Sequence, residues 1–210
     1  MKNLFYVSTI LLVFVSTSIF AQEDTRNNFK LGVKAGFNYA NVYDSQGGDF
    51  VADGKFGLAV GAMMAIPLGA TFGFQPEVLY SQKGYQGSGS FLGSSYEYTR
   101  TTHHIDIPLQ LQIKPSSMIS IVAGPQFSYL IQSNNKFTGG GISTDQQQDF
   151  DNDNLRRNLL GVVGGVDINL NPATFGIRAG WDLSQNDGNG SSNDPRYKNQ
   201  WLQMTFGLWF

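Results

Sequence analysis

Hydrophobic and polar residues alternate one by one along most of the chain. In residues 55–66, for example, Phe56 and Leu58 fall on one side of an extended chain and Gly57 falls on the other. A period of two residues is the pattern of a β-strand whose two faces meet different surroundings. The pattern therefore predicts an all-β fold with eight strands and no helix. The predicted strands span residues 29–41, 55–66, 71–83, 97–113, 118–131, 156–169, 174–183 and 201–210.

The connections between these strands alternate between short and long. Barrels of the bacterial outer membrane have short periplasmic turns and longer extracellular loops. The pattern thus indicates an eight-stranded antiparallel up-and-down transmembrane β-barrel with both termini in the periplasm. The short turns are residues 67–69, 114–117 and 171–172, and the long polar loops are residues 42–54, 84–96, 132–154 and 184–199.

Charged residues distinguish the two faces of the predicted strands. Nearly all of those within the strands lie opposite the large apolar side chains, and a charge held against lipid at mid-bilayer would cost roughly 2–4 kcal/mol. The apolar face is therefore predicted to meet lipid and the charged face to line the interior. The apolar face keeps only Arg156 and His103, both near strand ends on the long-loop side. The predicted interior charges are Lys34, Glu77, Asp106, Arg157, Asp167, Arg178 and Asp182.

A soluble lipocalin-like carrier, with its polar face outward, is an alternative for the same strands. Its interior would have to hold many large rings, among them Phe72, Phe74, Trp181 and Phe206. An eight-stranded barrel has an interior only wide enough for side chains to fill. The alternation therefore favours the arrangement in which these rings point outward.

Composition excludes several other classes of protein. The 210 residues carry a formal net charge of −2, which gives no electrostatic footprint for nucleic acid. The chain has no cysteine, which excludes disulfides, thiolate metal sites and a lipid-anchored cysteine. Only 14% of the residues are charged, which argues against a disordered chain or a long exposed helix.

Residues 1–21 have the features of a secretory signal peptide. Lys2 supplies the positive start, an apolar segment runs to Phe20, and Ala21 is a small residue suited to cleavage. Such segments are removed on export, so residues 22–210 are predicted to form the barrel domain in the outer membrane.

The last predicted strand ends on an aromatic residue. A final strand of this kind resembles the signal read by the bacterial barrel-assembly machinery. That machinery is therefore a predicted partner during biogenesis, and outer-membrane lipid is a predicted partner of the assembled protein. The residues that carry the signal are Leu202, Met204, Phe206, Leu208 and Phe210.

Several segments resemble one family of barrels. Their order along the chain resembles the first, third, fourth and fifth strands of the PorT-like outer-membrane β-barrel family of Gram-negative bacteria. The resemblance implies an outer-membrane barrel of the porin-like group and implies no reaction. The segments are LGVKAGFN (31–38), FQPEVLYSQKG (74–84), HIDIPLQL (104–111), and Ala123-Gly124-Pro125 followed by Phe127 and Tyr129.

The interior charges are expected to pair across the barrel. A buried charge must be paired or hydrated. Lys34, Glu77, Asp106 and Arg178 lie near mid-strand, so we expect them to share one layer that closes the lumen. A wet, narrow channel running past the same charges is the alternative.

His103, His104 and Asp106 are the candidates for chemistry. His104 and Asp106 share a face, and an enzyme would use such a pair in acid–base catalysis, but no serine motif accompanies them. Two histidines lack a third metal ligand, and the acidic loops 149–154 and 186–190 lack the spacing of a calcium loop. We therefore predict no catalytic residue, no metal and no cofactor.

The favoured function is a non-enzymatic one, structural or in interactions through the extracellular loops. A porin-like channel, an enzyme using His104 and Asp106, and a lipocalin-like carrier are the alternatives. The face assignment also predicts that Asp at Val60 or Ile107 blocks assembly. Asp at Gly61, on the interior face, should be tolerated better unless it clashes.

Overall fold

Nine β-strands and one short 3-10 turn make up the described part of the chain. The computed structural model describes residues 25–44, 53–91, 94–139, 142–148, 156–186 and 197–210. The signal peptide predicted at 1–21 and the acidic loop 149–154 lie outside these residues. Among them no helix is long and apolar enough to cross a bilayer. The strands β1 to β9 are Lys30–Asp44, Asp53–Pro67, Phe72–Phe91, Ser94–Ile113, Ile119–Gly139, Ile142–Gln148, Asn158–Leu170, Ala173–Asp182 and Tyr197–Trp209.

Eight of these strands close into a ring. Each pairs antiparallel with the next, β5 pairing with β7. The first and last strands, β1 and β9, pair from Gly32↔Trp209 to Asp44↔Tyr197 and complete the ring. Closure leaves the ring without an unpaired strand edge. A sheet that crosses hydrocarbon has to close in this way, because its backbone N–H and C=O groups find no water to bind there. The predicted eight-stranded antiparallel up-and-down barrel is confirmed.

The wall rises higher on one side than the sequence predicted. Residues 84–96 were expected to be a loop, but β3 and β4 continue through almost all of them, with Ser90 paired to Ser95. In the expected loop 132–154, β5 continues to Gly139 and a short strand, β6, runs beside it.

The four raised strand ends form what we call the extracellular sheet. It comprises β3 after Gln86, β4 before Arg100, β5 after Gln132, and β6. Gln86 is the last residue of β3 paired with β2, and β7 first pairs with β5 at Tyr129. The sheet therefore stands beyond the ring of eight strands.

Side chains on the strands alternate between lipid and interior as the sequence predicted. Phe37 is 63% exposed and Leu111 is 64% exposed, whereas their chain neighbours Asn38 and Gln110 are both 0% exposed. Apolar side chains thus cover the outer wall and polar ones fill the barrel. This is the reverse of the lipocalin-like arrangement.

Glycine at position 61 allows two strands to lie close together. A Cβ built on Gly61 would collide with the carbonyl oxygen of Val78 on the neighbouring strand. The exception stated for Asp at Gly61, a clash, therefore applies, because any side chain there meets backbone rather than open lumen.

We expect Gly61→Ala to lower the free energy of unfolding by about 1–3 kcal/mol, the usual cost of overpacking. Gly164 is the control, because its nearest heavy atom to a built Cβ, the carbonyl oxygen of Val122, is 3.6 Å away. Gly164→Ala should be neutral or stabilise by up to about 1 kcal/mol. Urea unfolding in detergent micelles, followed by tryptophan fluorescence, measures both changes. Equal midpoints for the two variants would contradict the close approach at Gly61.

Candidate functional site

The interior of the barrel is packed with polar and charged side chains. They occupy the strand positions that alternate with the lipid-facing ones. Because a polar group left unpaired away from water costs about 1–3 kcal/mol, these side chains must satisfy one another. The buried charged ones are Lys34, Glu77, Lys83, Arg100, Asp106, Lys114, Asp167, Arg178 and Asp182.

Lys34, Glu77, Asp167 and Arg178 form what we call the lower cluster, near the short-turn end. Glu77 pairs with Lys34, and its Oε1 lies 3.8 Å from Nη2 of Arg178. Arg178 Nη2 also donates a hydrogen bond to Asp167 Oδ2 at 2.7 Å. Two positive and two negative groups balance, so the cluster is buried without net charge.

Neutral amides, for which the alternation pattern predicted no role, complete the lower cluster. Gln75 Nε2 donates to Glu77 Oε1 at 3.0 Å and to Asp167 Oδ2 at 3.2 Å. Gln110 Oε1 accepts from Arg178 Nε at 3.0 Å. The only sign of this role in the sequence is that both residues occupy strand positions that point into the barrel. The amides supply the additional hydrogen bonds that a buried ion pair needs.

Lys83, Asp106 and Trp201 form the upper cluster, nearer the long loops. Lys83 Nζ lies 3.0 Å from Asp106 Oδ2 and 3.9 Å from the centroid of the Trp201 ring. The ring fits there because residue 180 is glycine, whose built Cβ would collide with it. A cation over an indole face is stabilised by the ring quadrupole.

The expected single layer of Lys34, Glu77, Asp106 and Arg178 is wrong in one member. Asp106 belongs to the upper cluster, and Asp167 takes its place beside Arg178. The register explains the error, because Asp106 lies opposite Leu79 and therefore beyond Glu77 along β3.

Arg157 and Asp182 lie outside both clusters. Arg157 precedes β7 and is exposed, so its expected place in the interior is wrong. Its neighbour Arg156, expected on the lipid face, lines a cavity at the long-loop end. Alternation fails here because the strand begins only at Asn158. Asp182 is buried, and its Oδ2 accepts a hydrogen bond from Asn199 Nδ2 at 2.6 Å.

A belt of neutral hydrogen bonds joins β1, β3 and β9 on the interior face of the wall. Asn38 Nδ2 donates to Ser81 Oγ at 2.8 Å, and Gln203 Nε2 donates to Asn38 Oδ1 at 2.9 Å.

At the two ends of the barrel, the cavities lined by described residues are small, about 10 Å³ beside Tyr85 and about 50 Å³ beside Trp209. The smaller one has about the volume of one water molecule.

The candidate catalytic pair does not come together. Asp106 is held by Lys83, and Nδ1 of His104 has no hydrogen-bond partner among the described residues. His103 instead contacts Tyr80, whose hydroxyl lies 2.5 Å from Nδ1. Within the same residues no group of three potential metal-ligating side chains occurs.

Four of the five residues of the predicted assembly signal lie along β9, where it closes against β1, and Phe210 follows the end of the strand. Phe206 pairs with Ala35, and Leu202 pairs with Tyr39. The side chains of Met204 and Phe210 are exposed by 55% and 77%. These apolar side chains therefore belong to the lipid-facing wall.

A closed eight-stranded sheet with an apolar outer wall and a charged, packed interior defines a transmembrane β-barrel. The family model described as "Outer membrane protein beta-barrel domain" matches residues 20–200. The chain belongs to that family and is an outer-membrane protein. No curated protein matches it significantly.

Three solved structures show the degree of similarity to known barrels. The Ail protein of Yersinia pestis, in complex with the heparin analogue sucrose octasulfate, is 12% identical, with 87% of this chain and 99% of that chain covered and a TM-score of 0.47. Neisserial surface protein A is 14% identical, with coverages of 86% and 97% and a TM-score of 0.44. OprG of Pseudomonas aeruginosa is 14% identical, with coverages of 86% and 95% and a TM-score of 0.41.

Proposed function

We propose that this protein is a non-conducting, non-enzymatic barrel that presents its extracellular sheet to a macromolecule outside the cell. The observation that carries the proposal is the row of aromatic side chains on that sheet. The row begins at the rim of the ring of strands, where Tyr98 on the sheet lies with its ring centroid 6.1 Å from that of Tyr85. Farther out on the sheet, Tyr96 and Phe137 stack at 5.9 Å.

The outer pair of this row is accessible. Tyr96 is 38% exposed and Phe137 is 43% exposed. Both lie beyond the ring of eight strands, so contact with lipid does not account for their exposure. Large aromatic side chains are enriched where proteins bind other macromolecules.

The interior supports the non-conducting part of the proposal. The lower and upper clusters span the lumen by direct contacts. The neutral hydrogen bonds of Asn38 with Ser81 and Gln203 lie between them along the barrel. Eight strands leave an interior that side chains just fill, which leaves no space for a wide pore.

A photo-crosslinking residue in place of Tyr96, on living cells, tests the interaction. We expect one recurrent macromolecular adduct, which is lost when Phe137→Ser is added. The same probe at Glu97, the exposed neighbour on the opposite face of the strand, is the control. An equal adduct pattern at the two positions would contradict a role for the aromatic face.

Within the family, we propose a PorT-like assignment and a role for the final strand as an assembly signal. The segments 74–84 and 104–111 support the first, because they contain the core of β3 and β4 and the interior charges Glu77, Lys83 and Asp106. The exposed, lipid-facing apolar row on β9 supports the second. Neither implies a place in protein secretion.

A further inference from the structure

An apolar groove of about 180 Å³ runs along the outer wall between β1, β2, β3 and β4. Ala62, a small residue among larger apolar neighbours, leaves the groove open. Almost no polar atom reaches its surface. The side chains that border it include Leu31, Ala62, Met64, Pro76, Val78 and Ile107.

The groove coincides with two interruptions in the strand pairing. Between β2 and β3 the ladder stops after Met63↔Glu77 and resumes at Ile66↔Phe74. Between β3 and β4 it stops after Pro76↔Leu109 and resumes at Leu79↔Asp106. Pro76 adjoins both gaps and has no N–H to donate to a ladder. The groove therefore lies where strand pairing is interrupted on both sides of β3.

The groove faces the periplasmic leaflet of the membrane. Met64 and Pro76 lie three and four residues from the short-turn ends of β2 and β3, which is about 13 Å or less at 3.3 Å per residue. The apolar band of such barrels is about 25 Å tall. The groove thus lies in the half of the band next to the periplasm, where the lipid is phospholipid.

We propose that this groove is a binding site for one acyl chain of a phospholipid in the periplasmic leaflet. The wall around it is the lipid-facing surface of the barrel, so a hydrocarbon chain is the neighbour already at hand. An apolar cavity of roughly 150 Å³ in another protein holds a benzene molecule, so this groove has room for several methylene groups. The proposal rests on the membrane position of the barrel and is independent of the proposed extracellular function.

A seated chain gains from packing alone. Lipid tails are as apolar as the groove, so burial from water contributes nothing, and the preference comes from dispersion contacts with a concave surface. Filling the groove with a larger side chain should therefore displace the lipid while leaving the wall apolar.

Fluorescence quenching by phospholipids with a nitroxide on the acyl chain tests the proposal. The chain has no cysteine, so Val60→Cys, one step along the same face from Ala62, gives a unique site for a bimane label. Val162→Cys on β7 is the control, because Val60 and Val162 are 40% and 39% exposed. In nanodiscs, we expect quenching at position 60 to reach half its maximum at a fraction of nitroxide lipid roughly threefold lower than at position 162. A preference of this size is what dispersion contacts alone supply.

Two further variants decide the outcome. Ala62→Phe should make the two quenching curves coincide, whereas Ala179→Phe, on β8, should leave their difference intact. Coincident curves in the protein with Ala62, or a difference that survives Ala62→Phe, would overturn the proposal. Disulfide-linked dimers of unlabelled Val60→Cys protein in membranes would also overturn it, because a second copy would then cover the groove.

Discussion

Replacing Arg178 by alanine is expected to lower the free energy of unfolding by about 3–5 kcal/mol, the cost of removing one partner from a buried ion cluster. Asp167 loses the donor 2.7 Å away, and Glu77 keeps Lys34 as its only cation and Gln75 as a neutral donor. Two carboxylates then share one cation in an interior filled by side chains. Urea unfolding in micelles measures the loss.

The same variant should let water and ions through. The intact protein is expected to conduct almost nothing in a planar bilayer, because its clusters close the lumen. Removal of the Arg178 side chain leaves space beside an excess of negative charge, so small cation-preferring currents should appear. Arg157→Ala is the control, because Arg157 is exposed and surface ion pairs contribute about 0–1 kcal/mol. A large steady conductance in the unmodified protein would favour the channel alternative.

Arginine at Val60 should prevent most of the protein from assembling. Val60 lies at the middle of β2 on the lipid-facing side, where arginine costs roughly 2–4 kcal/mol. Phe56→Arg is the matched control, because it lies four residues nearer the extracellular end of the same face and should cost about 0–1 kcal/mol. The protease-resistant barrel recovered from membranes measures assembly. Equal recovery of the two variants would show that Val60 does not face the middle of the bilayer.

Alternation was enough to predict the ring of strands, because lipid on one side and a crowded interior on the other impose a period of two. It failed for the extracellular sheet. Beyond the membrane neither face of a strand has to be apolar, so the segment around Gly87 and Gly89 has the composition of a loop. What makes it a strand is pairing with β4, as in Gly87↔Tyr98, which a local pattern does not reveal.

The same limit applies to the interior. The alternation of residues along each strand correctly placed Lys34, Glu77, Asp167 and Arg178 inside the barrel. It does not reveal how far along the barrel axis each side chain lies. Strands in a closed barrel tilt and are staggered by a fixed shear, so residues at similar distances from their turns lie at different levels. Asp106 was assigned to the wrong cluster for this reason. The clash at Gly61 was likewise invisible, because it depends on how closely two neighbouring backbones approach.

The contact between Lys83 and Trp201 joins the third strand to the last one across the lumen. It forms only when the ring is complete, whereas an inserted but open sheet would leave the indole in different surroundings. Trp201 is thus an intrinsic optical reporter of closure. With Trp181 and Trp209 replaced by phenylalanine, its emission would time the final step of barrel formation separately from entry into the bilayer.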